Sequence, residues 1–210
     1  GTNGVSGFVV MSTGTSTDGN TGALYVGSGV ASSGRGGSVY VTVGGGNSGS
    51  GGELVLSAGT SSFSSGGRIV LQSGYSSLST SGSLLIQTPN SGTNGVSGFV
   101  VMSTGTSTEG NSGALYVGSG AASSGRGGSV YVTVGSGDSG SGGDLSLVGG
   151  VTASGSGGRV SITSGYSTLQ TSGALVLLTS NAGTSGGESG LIVISTGTST
   201  RGNTGAVYIG

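Results

Sequence analysis

Aliphatic residues alternate with small or polar ones in short runs that return at a nearly constant interval. Each run has the form G-x-h-x-h, where h is aliphatic or Met, and the opening glycines stand at 7, 22, 37, 52, 67 and 82. The series resumes at 98, 113, 128, 143, 158 and 173, then at 190 and 205. Every step is 15 residues except two, since the repeat opened by Gly82 has 16 residues and that opened by Gly173 has 17. With the opening glycine as position 1, position 3 runs from Val9, Leu24 and Val39 to Val207, and position 5 from Met11 and Val26 to Ile209. A period of two is the signature of a strand, here with positions 3 and 5 facing inward. Position 2 carries Glu53, Arg68, Asp144 and Arg159. Charges are costly to bury, so they mark the outward face.

Position 8 is Gly in every complete repeat except at Pro89 and Ser180, and it reads as a corner. Position 10 is always Ser, Ala, Gly or Thr, which suits a second short strand laid against the aliphatic one. A single coil cannot bury its own apolar strip, but coils stacked about 4.8 Å apart can. The pattern therefore predicts an all-β fold, a single-chain β-solenoid of about 14 thin, flattened coils of 15 residues, with the hand left open. Stacking would set Glu53 beside Arg68 and Asp144 beside Arg159 as structural inter-coil ion pairs. Each exposed pair would contribute about 0.2–1 kcal/mol.

A longer repeat encloses the short one. GTNGVSGFVVMSTGTST occurs at Gly1 and again at Gly92, and a looser copy, GLIVISTGTST, starts at Gly190. The expected organisation is one continuous domain over 1–210, with long repeats 1–91 and 92–182 and a partial one over 183–210. Neither end carries a polar cap, so the expectation is a window on a longer repeat protein, or coils joined end to end between chains.

Composition narrows the chemistry. Of the 210 residues 53 are Gly, 5% are charged, all five basic residues are Arg, and the net charge is −1. Without Cys, His or Lys there is no thiolate nucleophile, disulfide, Ser-His-Asp triad, Schiff base or ordinary zinc or haem site. No cofactor is expected. Five scattered Arg residues offer no footprint for nucleic acid, and no apolar run reaches membrane-span length. Asp18 and Glu109 are equivalent positions six repeats apart, too far for the paired carboxylates of a glycosidase. The segment Gly135–Leu147 is similar to a calcium-binding nonapeptide, but the period is wrong for a calcium ladder. The Thr15–Thr17 type of triplet comes once per six repeats, so no flat Thr array for ice is ranked. The expectation is a protein that is not an enzyme.

The remaining signal is position 4, which alternation places outside. It reads Val10, Tyr25, Tyr40, Val55, Val70, Leu85, Val101, Tyr116, Tyr131, Val176, Val193 and Tyr208, broken only by Ser146 and Ser161. Such a stripe exceeds what a solitary soluble protein normally exposes and predicts lateral self-association, with Tyr25 stacked over Tyr40 and Tyr116 over Tyr131.

The unit G-x-h-x-h-x-x-G, with GNTGALYVGSG and NAGTSGGESGLIVISTGTST, resembles the Gly/Ser/Thr-rich tandem repeats of secreted structural or adhesive proteins of diatoms and related stramenopile algae. Gly-rich bacterial and viral fibre proteins look similar as well. The resemblance implies an extracellular protein of cell wall, sheath or fibre, with no catalytic residues to transfer. The expected function is a self-assembling fibre, wall layer or adhesive strand, partnered by copies of itself and by extracellular polysaccharide. The alternative is a surface-binding module for ice, mineral or polysaccharide.

Overall fold

The computed structural model describes residues 6–210; Gly1–Val5, the start of the first long repeat, lie outside the described residues. The chain divides into two units, Gly1–Ser103 and Thr104–Gly210, and the division falls inside the repeat opened by Gly98. Among the described residues there is neither helix nor strand. The expected all-β solenoid is therefore not formed.

The cause lies in how each repeat closes. In the first unit the backbone bends at 17–19, 32–34, 47–49, 62–64 and 77–79 and turns at 93–94. In the second it bends at 108–110, 123–125, 138–140, 153–155, 168–170 and 200–202 and turns at 184–186. In the regular repeats these bends fall at positions 11–13, so the reversal is in the second half of the repeat and not at position 8. It brings the next opening glycine back to positions 7 and 8 of the same repeat. In the first unit Gly67 donates its N–H to the Gly59 carbonyl at 2.8 Å, and Gly82 donates to Gly74 at 2.9 Å. In the second unit Gly158 donates to Gly150 and Gly173 to Gly165, both at 2.8 Å. Each bond joins residues eight apart, and close approaches between residues twelve or more apart are few. A β-ladder would need a neighbouring backbone 4.7–4.9 Å away along the whole arm, and local closure does not supply it.

Where position 7 is a hydroxyl residue, the side chain can make the closure instead. Thr13 Oγ1 donates to the Gly22 carbonyl at 3.0 Å, and Ser28 Oγ donates to that of Gly37 at 2.7 Å. Thr88 does the same to Gly98 at 3.1 Å, and Ser119 to Gly128 at 2.8 Å. The Thr88 closure spans ten residues and not nine, because its repeat holds the extra residue. That residue sits in the loop, where Gly95 donates to the Gly92 carbonyl in a tight turn. The extra residues of the repeat opened by Gly173 likewise fall around the turn at 184–186. Insertions are thus absorbed by the loop while the junction keeps its geometry.

The two glycine positions differ in what they need. A methyl group on any opening glycine after Gly7 would come within 4 Å of position 7 or 8 of the preceding repeat. At Gly52 it would reach 2.6 Å from Val43 Cγ1, and at Gly158 it would lie 2.7 Å from the Gly150 backbone nitrogen. Position-8 glycines have open space in every case. Only one of them, Gly14 (φ 84°), holds a conformation that disfavours a side chain. Position 1 is glycine for close approach; position 8 has no such requirement.

Among the described residues no side chain is buried. The chain exposes 20,880 Å², against about 8,500 Å² for a compact chain of its mass and about 28,000 Å² for an unfolded one. Alternation survives only as a gradient. Position 3 is the more sheltered, as at Val39 (53%), and position 4 the less, as at Tyr40 (85%). Positions 3 and 5 are therefore not a core, which corrects the expected inward-facing aliphatic ladders.

Candidate functional site

Each repeat presents an arm, positions 2–6, and a loop, positions 9–15. The loop is shaped by its own hydroxyls. Position 10 accepts backbone N–H groups from the bend: Ser61 Oγ from Ser64, Ser76 Oγ from Ser79, and Ser107 Oγ from Gly110, all at 3.0 Å. Ser167 Oγ accepts from Gln170 and Ser199 Oγ from Gly202, both at 2.9 Å. Small polar side chains compete in this way for nearby backbone donors and favour turns over strands. Where position 10 carries a hydroxyl, as at Ser61, Ser76, Ser107, Ser167 and Ser199, it pins the bend and faces no aliphatic layer.

Val10, Tyr25, Tyr40, Val55, Val70, Leu85, Val101, Tyr116, Tyr131, Val176, Val193 and Tyr208 all lie on the arms and all are exposed. They do not form an isolated stripe, because positions 3 and 5 on either side are exposed too, and every arm except those with Ser146 and Ser161 offers three consecutive apolar side chains. The expected stacking of Tyr25 on Tyr40 and of Tyr116 on Tyr131 was tied to solenoid rungs that the chain does not form. Glu53, Arg68, Asp144 and Arg159 are likewise exposed at position 2, and the rung stacking that would set them side by side belongs to the same solenoid.

The loops hold apolar residues that reading along the arms missed. Tyr75 and Leu78 stand on one loop and Tyr166 and Leu169 on its counterpart, each 86% exposed or more. Both loops are pinned twice, by the Gly82–Gly74 or Gly173–Gly165 bond and by the hydroxyl of Ser76 or Ser167. The pattern S-G-Y-S-x-L, at Ser73–Leu78 and Ser164–Leu169, was visible as a recurrence in the sequence. All seven tyrosines, on arms and loops together, are 85–92% exposed. Among the described residues no three acidic side chains gather, no cavity forms, and no helix is long and apolar enough to cross a membrane.

No protein-family model, curated protein or solved structure matches the chain.

Proposed function

We propose that this protein is a non-enzymatic structural material, secreted and built into an extracellular fibre, wall layer or adhesive strand by association of its own copies. The observation that carries this reading is the 20,880 Å² exposed by a chain of 19.4 kDa, with no apolar side chain buried among the described residues. Apolar area left in water is unfavourable by roughly 25 cal/mol per Å², so an arm such as Val39-Tyr40-Val41 gains when another chain covers it. Equivalent arms recur along the chain, so one contact can be repeated many times, and avidity then exceeds the strength of any single contact. A net charge of −1 sets little repulsion against such assembly.

Sedimentation and light scattering over a range of concentrations, with negative-stain microscopy, test the reading. Assemblies should grow with concentration and appear as filaments or layers. Replacing Tyr25, Tyr40, Tyr116 and Tyr131 with Ser should raise the concentration needed for assembly by roughly tenfold or more, the equivalent of about 1.4 kcal/mol. A chain that stays monomeric at high concentration, with no filaments on the grid, overturns the reading.

A further inference from the structure

We infer that the tyrosines are sites of oxidative cross-linking, at which neighbouring copies of this chain are joined covalently as dityrosine. This rests on the reading of the chain as a self-assembling material. The composition removes the other routes to a covalent network, since there is no Cys for disulfides and no Lys for isopeptide or aldehyde-derived links. Trp and His, which also react with oxidants, are absent. Tyrosine is the residue left that can couple to itself, and the structure puts every one of the seven in reach. Tyr25, Tyr40, Tyr116, Tyr131 and Tyr208 project from arms, while Tyr75 and Tyr166 project from the twice-pinned loops, none less than 85% exposed. The phenols thus stand on two kinds of surface, so links could form both where arms meet and where loops touch.

The chemistry balances with a haem peroxidase and hydrogen peroxide as the oxidising class. Two phenols each lose one electron and one proton. The two radicals join through the ring carbons next to the oxygen, forming one carbon–carbon bond. The hydrogens on those carbons then pass to the oxygens as both rings become aromatic again. The two electrons and two protons removed reduce one hydrogen peroxide to two waters.

The test treats the purified chain with horseradish peroxidase and hydrogen peroxide, after light scattering has recorded whether it is associated. A parallel reaction adds N-acetyltyrosine as a small phenol partner. The expected result is a ladder of detergent-resistant oligomers with dityrosine fluorescence, and mass spectrometry that finds linked tyrosine peptides. Changing all seven tyrosines to Phe should abolish both ladder and fluorescence. The quadruple change of Tyr25, Tyr40, Tyr116 and Tyr131 to Phe should leave weaker linkage through Tyr75, Tyr166 and Tyr208. Associated chains that give no resistant ladder overturn the inference, as do chains of any state that fail to take up N-acetyltyrosine. Monomeric chains that take up N-acetyltyrosine but form no ladder overturn both the joining of copies and the assembly reading. The tyrosine reactivity alone then stands.

Discussion

Ser28 Oγ donates a hydrogen bond of 2.7 Å to the carbonyl of Gly37, and a methyl group on Gly37 would lie 3.0 Å from Ser28 Cβ. The two residues are held together by a polar bond and kept close by the absence of a side chain. The same pairing of position 7 with the next opening glycine recurs in both units, by hydroxyl in some repeats and by the adjoining backbone in others. It makes each repeat that has it a locally closed loop on an open arm.

Ser28→Ala should open the loop that holds Arg35. Loss of one exposed hydrogen bond is worth about 0.5–1 kcal/mol. Cleavage that follows the opening equilibrium should then quicken by about two- to fivefold. Trypsin digestion followed by mass spectrometry provides its own control. Cutting at Arg126, inside the loop closed by Ser119 and Gly128, should keep its wild-type rate.

Ala31→Ser should act in the opposite direction on the same loop. Position 10 lacks a hydroxyl there, whereas Ser61, Ser76 and Ser107 use theirs to hold the bend. The new Oγ stands three residues before Gly34 and can accept its N–H, so trypsin should cut at Arg35 about twofold more slowly. An unchanged rate would show that this hydroxyl does not restrain the bend.

Gly158→Ala and Gly150→Ala should differ sharply. The first sets a methyl 2.7 Å from the Gly150 nitrogen and strains a junction bond of 2.8 Å; the second enters open space. Overpacking costs about 1–3 kcal/mol. Amide exchange at residue 158 should therefore rise by roughly five- to a hundredfold in Gly158→Ala and stay unchanged in Gly150→Ala. Equal exchange in the two variants would remove the close-approach account of position 1.

Assembly should strengthen with sulfate and weaken on cooling, because burial of apolar arms drives it. Dilute sodium chloride should have little effect, since 5% of residues are charged and few pairs are available to screen. Turbidity against temperature and salt measures both. Dissolution by modest sodium chloride would point to ionic contacts through Glu53, Arg68, Asp144 and Arg159 instead.

Much of the local architecture was legible in the sequence. The phase of the opening glycines marks every junction, and the long repeats opened by Gly82 and Gly173 mark where the loop takes up extra residues. Position 7 is present there too, in Thr13, Ser28, Val43, Ala58 and Ser73, but a mixture of Ser, Thr, Val and Ala carries no aliphatic alternation to mark it. The site was half legible. Alternation found Tyr25 and Tyr40 on the arms and missed Tyr75 and Tyr166, because loops carry no period-two signal.

By itself the sequence determined which residues are equivalent from repeat to repeat, which lean away from their own repeat, and which chemistries are impossible without Cys, His or Lys. The tertiary structure decided what the equivalence is for. A 15-residue period fits coils stacked on residues 15 apart, and it fits equally loops closed between residues eight or nine apart. Side-chain periodicity is the same in both, since it records direction and not the partner of each backbone N–H. Short closures cost less chain entropy than long ones, and Ser or Thr at positions 7 and 10 supplies partners for them. The backbone therefore closes at Gly37 on Ser28 and at Gly158 on Gly150, and leaves the arms uncovered.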